Sequence, residues 1–248
     1  MCRAKSHGGN GRRCASNTTR SNARRRAQNA VRFSEKVLSE LAESHGTEWY
    51  GDVEGIGLKL SSPLVAKSYA LAAKYHAGVK RKSGEVYLNH PLRVAQSLQE
   101  AGYNEEVVSI ALLHDTVEDT DLTLGQLRKL GYSERVISGV DSVTKRDGED
   151  YTETIQRARR HPLGRVVKLA DNFDNSSEEQ LAPFNEEKRA KQRAKYRPAR
   201  EILIYEIRMK PSADFIRELE QYRQGYKVWN GSKESANFFA KIESGLVA

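Results

Sequence analysis

The stretch LLHDTVEDTD, Leu112 to Asp121, sets one histidine and four acidic residues in ten positions, directly behind the apolar run Val107, Val108, Ile110, Ala111, Leu112 and Leu113. An apolar helix face that runs into ionisable groups needs water, a partner or a metal to meet them. Val107, Ile110, Ala111 and His114 fall at helical spacing, so a helix is predicted over 104–115, with His114 on its buried face and Asp115 at its end. The stretch GRVVKLADNFDN, residues 164–175, repeats the pattern, placing Val167, Ala170, Asp171 and Asp174 along one side of a helix. In YLNHPLRV, residues 87–94, His90 opens a third helix ahead of Pro91.

Taken singly, each of these residues reads as a hydrogen-bonded core or capping group. As a set, His90, His114, Asp115 and Asp171 offer two imidazole nitrogens and two carboxylates. Such a mixed set suits Mn²⁺, Fe²⁺, Zn²⁺ or Mg²⁺ with positions left for water. Ligands drawn from separate helices are how a bundle builds an interior metal site.

Around these stretches the apolar periodicity is helical throughout. Helices are predicted over 33–45, over 63–77 behind the cap Ser62, and from Pro91 to a stop at Gly102. Further helices follow over 123–130, 133–144, 150–160 and 162–173, then a long polar one over 185–207, interrupted or bent at Pro198. Segments 46–60 and 77–89 read as loops, and residues 143–153, VTKRDGEDYTE, as an exposed, charged connection carrying Lys145 and Arg146. No sustained β alternation and no repeat is present, so the fold class is all-α. Three units are expected: a basic tail over 1–32, a helical domain over 33–207, and a helical C-terminal extension over 208–248 carrying Phe215, Trp229 and Phe238.

The net charge of +8 belongs to the tail, because residues 1–32 hold nine Arg or Lys and no acid, leaving the remainder at −1. Rich in Gly, Ser, Asn and Arg and without an aromatic residue, the tail is expected to be disordered in isolation. RNA or an acidic partner is its candidate ligand. Cys2, His7 and Cys14 fall one short of the four ligands of a closed zinc site. With only these two cysteines the chain suits a reducing, cytoplasmic setting, and it has no apolar run long enough to span a membrane.

The segments HAGVKRKSGEVYLNHP, ALLHDTVEDTD and VVKLADNFDN, in that order, resemble the HD phosphohydrolase superfamily. More narrowly, they are similar to the hydrolase domain of RelA/SpoT homologues and to the small alarmone hydrolases, over roughly residues 63–200. The resemblance implies an HD-domain helical bundle in which His90, His114, Asp115 and Asp171 bind one divalent metal, Mn²⁺ above others. It implies that Glu118 and Asp119 lie beside the attacking water and aid departure of the leaving group. It implies that Arg81, Lys82, Ser83 and Asn175 contact the nucleotide. The expected reaction is removal of the 3′-diphosphate from (p)ppGpp, a guanine nucleotide alarmone, giving GDP or GTP and pyrophosphate. The enzyme would carry no synthetase of its own and would act as antidote to a toxic alarmone synthetase. Departures from the family pattern at Val79 and at Ser176, Ser177 and Glu178 leave the nucleotide open. The alternatives are an HD hydrolase acting on another nucleotide or a pyrophosphorylated RNA 3′ end, and a toxin-neutralising binding module without catalysis.

Overall fold

A computed structural model describes residues 11–60 and 62–208. Among them the architecture is all-α: α1 (Gly11–His45), α2 (Val53–Ile56), α3 (Pro63–Tyr75), α4 (Asn89–Glu100), α5 (Glu105–Leu113), α6 (Thr116–Asp119), α7 (Leu124–Lys129), α8 (Glu134–Val143), α9 (Tyr151–Arg160), α10 (Pro162–Asn175), α11 (Glu178–Leu181) and α12 (Glu186–Arg208). The single extended feature among these residues is an isolated antiparallel bridge between Lys80 and Val86. Helix starts follow their caps: Ser62 accepts from the Val65 N–H ahead of α3, and Asp150 and Glu153 close a capping box on α9. Gly102 ends α4 at φ +79°, which only glycine adopts without strain.

α5 is the central helix, packed against α3, α4, α8 and α10. The sequence suggests one buried stripe on it, yet every residue from Val107 to Leu113 is buried. With neighbours on several sides, the helix has no face left for water, which is why apolar residues occupy every position from Val107 to Leu113 except Ser109. Two glycines permit this packing. A Cβ on Gly139 of α8 would meet Ile110 Cδ1 at 2.3 Å, and one on Gly164 of α10 would meet Ser142 Oγ at 1.8 Å. A second, smaller core of Ile155, Ala158, Leu169, Ala199, Leu203 and Ile204 fastens α9 and α12 to α10.

Two expectations change here. α12 runs uninterrupted through Pro198. α1 begins at Gly11 rather than at residue 33, since no proline or glycine lies between Gly11 and Gly46 to stop it. The sequence nonetheless places the start of packing correctly, because Arg24, Arg25, Arg26 and Arg32 are exposed whereas Ser34, Val37 and Leu41 are buried. Residues 1–10, the cysteine and histidine side chains of the tail, and the C-terminal extension from residue 209 lie outside the described residues. Among the described residues, no helix is long and apolar enough to cross a membrane.

The loop between α8 and α9 borders the site described below and is held by Arg157. Its guanidinium donates to the carbonyls of Asp141 (2.6 Å) and Thr144 (2.7 Å) and to both carboxylate oxygens of Glu149 (2.9 and 2.6 Å). The Arg157 hydrogen bonds hold the Glu149 carboxyl down at about 2. Arg157→Met is therefore expected to cost about 2 kcal/mol at pH 7, as charge-assisted hydrogen bonds do. A depressed carboxyl contributes stability above its ordinary value and loses it as pH falls toward the folded value. The gap between wild type and variant should thus narrow between pH 4.5 and about 2, measured by urea unfolding at pH 7 and pH 3.

Candidate metal centre and nucleotide cleft

Four side chains meet where α4, α5 and α10 converge. His90 comes from the first turn of α4, His114 from the end of α5, Asp115 from the turn into α6, and Asp171 from the last turns of α10. The donor atoms of His90, His114 and Asp171 lie within 4.8 Å of one another. Asp115 joins them, with Oδ2 3.5 Å from His90 Nε2 and Oδ1 3.1 Å from His114 Nε2. Asp171 Oδ1 is 3.1 Å from His90 Nε2 and 3.6 Å from His114 Nε2.

The hydrogen bonds on the far side of each imidazole decide what this cluster can hold. His114 Nδ1 sits 2.7 Å from the Ala111 carbonyl oxygen, which can only accept, so Nδ1 carries the proton. Its Nε2 is buried without a hydrogen-bond partner, a lone pair facing two carboxylates. Lone pair against carboxylate is repulsive unless a proton or a cation lies between them. His90 Nδ1 likewise donates to Asp174 Oδ2 at 2.7 Å, turning Nε2 inward. Asp174 is gripped in turn by Arg93, whose Nε is 2.6 Å from Oδ1. These outer partners fix ring orientation as they do behind metal-ligating histidines. The residues fit a divalent cation.

Protons take the cation's place when it is away. Burial opposes charge on His90, but hydrogen bonds with Asp171 and Asp174 and the Asp115 charge outweigh it and raise the imidazole to about 9. His114 is raised too: burial opposes it and is overcome, first by the Asp115 charge. Metal binding must displace these protons. Affinity for a divalent cation is accordingly expected to climb with pH up to about 9, as each displaced proton adds up to about tenfold per pH unit. Calorimetric titrations at pH 6.5, 7.5 and 8.5 measure this, and a flat affinity would contradict it.

The cluster forms the floor of a cleft of about 530 Å³, a volume suited to a nucleotide. Glu118 and Asp119 stand on its rim, on the turn that returns from Asp115 through the Asp119 N–H to Asp115 carbonyl bond at 2.8 Å. Glu118 accepts from the Lys145 backbone N–H at 2.7 Å. Burial raises the carboxyl pKa of both acids. Arg81, Lys82, Ser83 and Asn175 also line the cleft, and Arg81 donates to Asn175 Oδ1 at 2.6 Å. Asn175 in turn donates to Asp171. All ten residues singled out in the sequence therefore border one cavity or its floor.

A family model described as HD domain matches residues 68–203, more than half of the chain. The chain belongs to the HD domain family. Among its curated relatives, a guanosine-3′,5′-bis(diphosphate) 3′-pyrophosphohydrolase of Aquifex aeolicus is 38% identical over 135 residues, 51% of this chain and 19% of that protein. A GTP pyrophosphokinase of Streptomyces coelicolor is 36% identical over 147 residues, 56% of this chain and 17% of that one. The chain thus spans about a fifth of the length of these relatives. A solved structure described as a metazoan orthologue of SpoT that hydrolyses ppGpp shares the fold, with a TM-score of 0.52 and 23% identity, covering 69% of this chain and 99% of that one.

The HD cleft also holds residues that local sequence patterns do not single out. Lys168 is buried with Nζ 2.9 Å from Asp171 Oδ2, and that ion pair keeps its ammonium raised even though burial opposes it. Tyr151 from α9 and Lys195 and Tyr196 from α12 complete the wall, with Lys195 Nζ 4.4 Å from the Tyr151 ring centre. Lys145 of the connection over residues 143–153 lines the cleft, whereas Arg146 turns away to Asp141 at 3.1 Å. A lone tyrosine or lysine on a polar helix carries no sequence signal of its own. Only the packing of α9 and α12 on α10 brings Tyr151, Lys195 and Tyr196 to the site.

Proposed function

We propose that this chain removes the 3′-diphosphate from guanosine tetra- or pentaphosphate by metal-dependent hydrolysis. The observation that supports the reading is that Glu118, Asp119, Arg81 and Lys82 line one cleft together with His90, Asp115 and Asp171, with His114 beside them. His90, His114, Asp115 and Asp171 would hold one divalent cation, Mn²⁺ being our choice. When bound, the cation supplies a Lewis acid for phosphate oxygens and makes water a better nucleophile. Arg81 and Asn175 would orient the nucleoside, while Lys82, Lys145 and Lys195 would neutralise the phosphates as point charges. Of the acidic pair, one takes the proton of the attacking water and the other gives a proton to the departing 3′-oxygen. The P–O bond to that oxygen breaks, leaving a 3′-hydroxyl and pyrophosphate. Burial raises both acids, which suits proton exchange nearer neutral pH.

The similarity to the Aquifex protein supports the choice of nucleotide. A finer reading, resting on resemblance, is a monofunctional alarmone hydrolase that neutralises a toxic synthetase by destroying its product. The deciding experiment incubates Mn²⁺-loaded protein with a panel of 3′- and 5′-phosphorylated nucleotides and short RNAs, products being identified by chromatography. Release of pyrophosphate and GDP from guanosine tetraphosphate, abolished by a chelator, is expected. Cleavage of another substrate with that nucleotide untouched would overturn the substrate and keep the chemistry.

A further inference from the structure

We infer that Tyr87 is a positioning residue that yokes Asp119 to Asp115, an inference resting on the reading of Asp119 as part of the proton-handling pair. The ring is fixed before its hydroxyl is considered. Residues 79–87 fold back on themselves through the Tyr87 N–H to Val79 carbonyl bond (3.0 Å) and the Arg81 N–H to Glu85 carbonyl bond (2.8 Å). The Tyr87 ring stacks on His76, with centroids 4.7 Å apart and planes 21° from parallel, and meets His90 edge-on at 6.4 Å. From this fixed ring the hydroxyl reaches Asp115 Oδ2 at 2.8 Å and Asp119 Oδ2 at 2.6 Å.

The two carboxylates differ in what else holds them. Asp115 lies within the ligand cluster, close to both imidazoles. Asp119 is exposed, at the end of a helix only four residues long. An exposed aspartate on such a turn would rotate freely into water. Glu118 beside it is tethered by the Lys145 N–H, and the Tyr87 hydroxyl is the corresponding tether for Asp119. A hydroxyl has one proton, so it donates to one of its two carboxylates at a time. The bond to Asp119 therefore strengthens when Asp115 draws on that proton less, and the arrangement of the ligand cluster is passed to the acid on the rim. Holding that acid in a reactive position is worth rate without adding affinity for the substrate.

Tyr87→Phe keeps the ring and its stacking while removing the hydroxyl, and a thermal melt checks that the fold is retained. With guanosine tetraphosphate as substrate and Mn²⁺ saturating for every variant, kcat is expected to fall about 10- to 100-fold at unchanged KM, the range seen when such supporting partners are removed. If Tyr87 acts through Asp119, Tyr87→Phe/Asp119→Asn is no slower than Asp119→Asn alone. Multiplying effects would show a separate structural role and overturn the inference. A second readout is independent of turnover. Calorimetric Mn²⁺ titration should show affinity weakened about tenfold by Tyr87→Phe, through loss of the Asp115 hydrogen bond, and unchanged by Asp119→Asn. Equal Mn²⁺ affinity in wild type and Tyr87→Phe overturns the yoke even where the nucleotide proves not to be the substrate. Wild-type inactivity toward that nucleotide with the predicted Mn²⁺ result removes the substrate reading alone.

Discussion

Asp115→Ala is expected to lower hydrolysis at least a thousandfold and to weaken Mn²⁺ binding while the protein stays folded. A bound cation contributes several kcal/mol to phosphoryl chemistry, and each 1.36 kcal/mol is tenfold in rate, so loss of a ligand reaches about a thousandfold readily. Asp115 is the cleanest of the four proposed ligands to remove. Its side chain is 15% exposed, and the hydroxyl of Tyr87 can turn to Asp119 once it is gone. Asp171, at 6% exposure, is different, because its removal leaves the buried Lys168 ammonium without its carboxylate. Stranding a buried charge costs about 3–5 kcal/mol, so an inactive Asp171→Ala protein could simply be unfolded. Initial rates with saturating Mn²⁺, paired with melting curves of both variants, separate these cases. An Asp115→Ala protein that keeps a tenth of the wild-type rate would sink the metal-dependent mechanism.

The difference between these two aspartates also shows which parts of the site a linear reading reaches. Asp115 and His114 are adjacent, Asp171 ends an apolar helical stripe and His90 opens a helix ahead of Pro91, so local pattern alone brings them into view. Glu118 and Asp119 follow because a helical turn returns three and four residues later to the same side. The helix boundaries are legible for a similar reason: caps such as Ser62 and stops such as Gly102 act within one turn. Lys168 stands three residues before Asp171 and could have been noticed as its i,i+3 partner. Tyr196 could not. It reaches the cleft only because Leu203 and Ala199 bury α12 against α9 and α10, and nothing near residue 196 encodes that crossing. The extension of α1 to Gly11 was obscured differently: with no core to face, its arginines carry no apolar period, and only the absence of breakers marks the helix.

Glu118→Gln is expected to lower kcat about a hundred- to ten-thousandfold, the range a positioned acid or base contributes, with Mn²⁺ affinity unchanged. The substitution is nearly isosteric, and the amide oxygen of glutamine can still accept the Lys145 N–H that Glu118 accepts at 2.7 Å. Loop geometry is thereby preserved and only the capacity to take a proton is lost. The pH profile gives a sharper test than the rate. Burial raises Glu118, and the Lys145 bond only partly opposes it, so the wild-type rate should begin to fall above the ordinary carboxyl range as the medium is acidified. A base must be ionised to act, hence the fall lies on the acid side. In Glu118→Gln that limb should disappear while the pH dependence of Mn²⁺ binding, which comes from His90 and His114, remains. If instead the limb persists unchanged and kcat drops less than tenfold, Glu118 serves the site only through its charge, and the proton of the attacking water must go to Asp119.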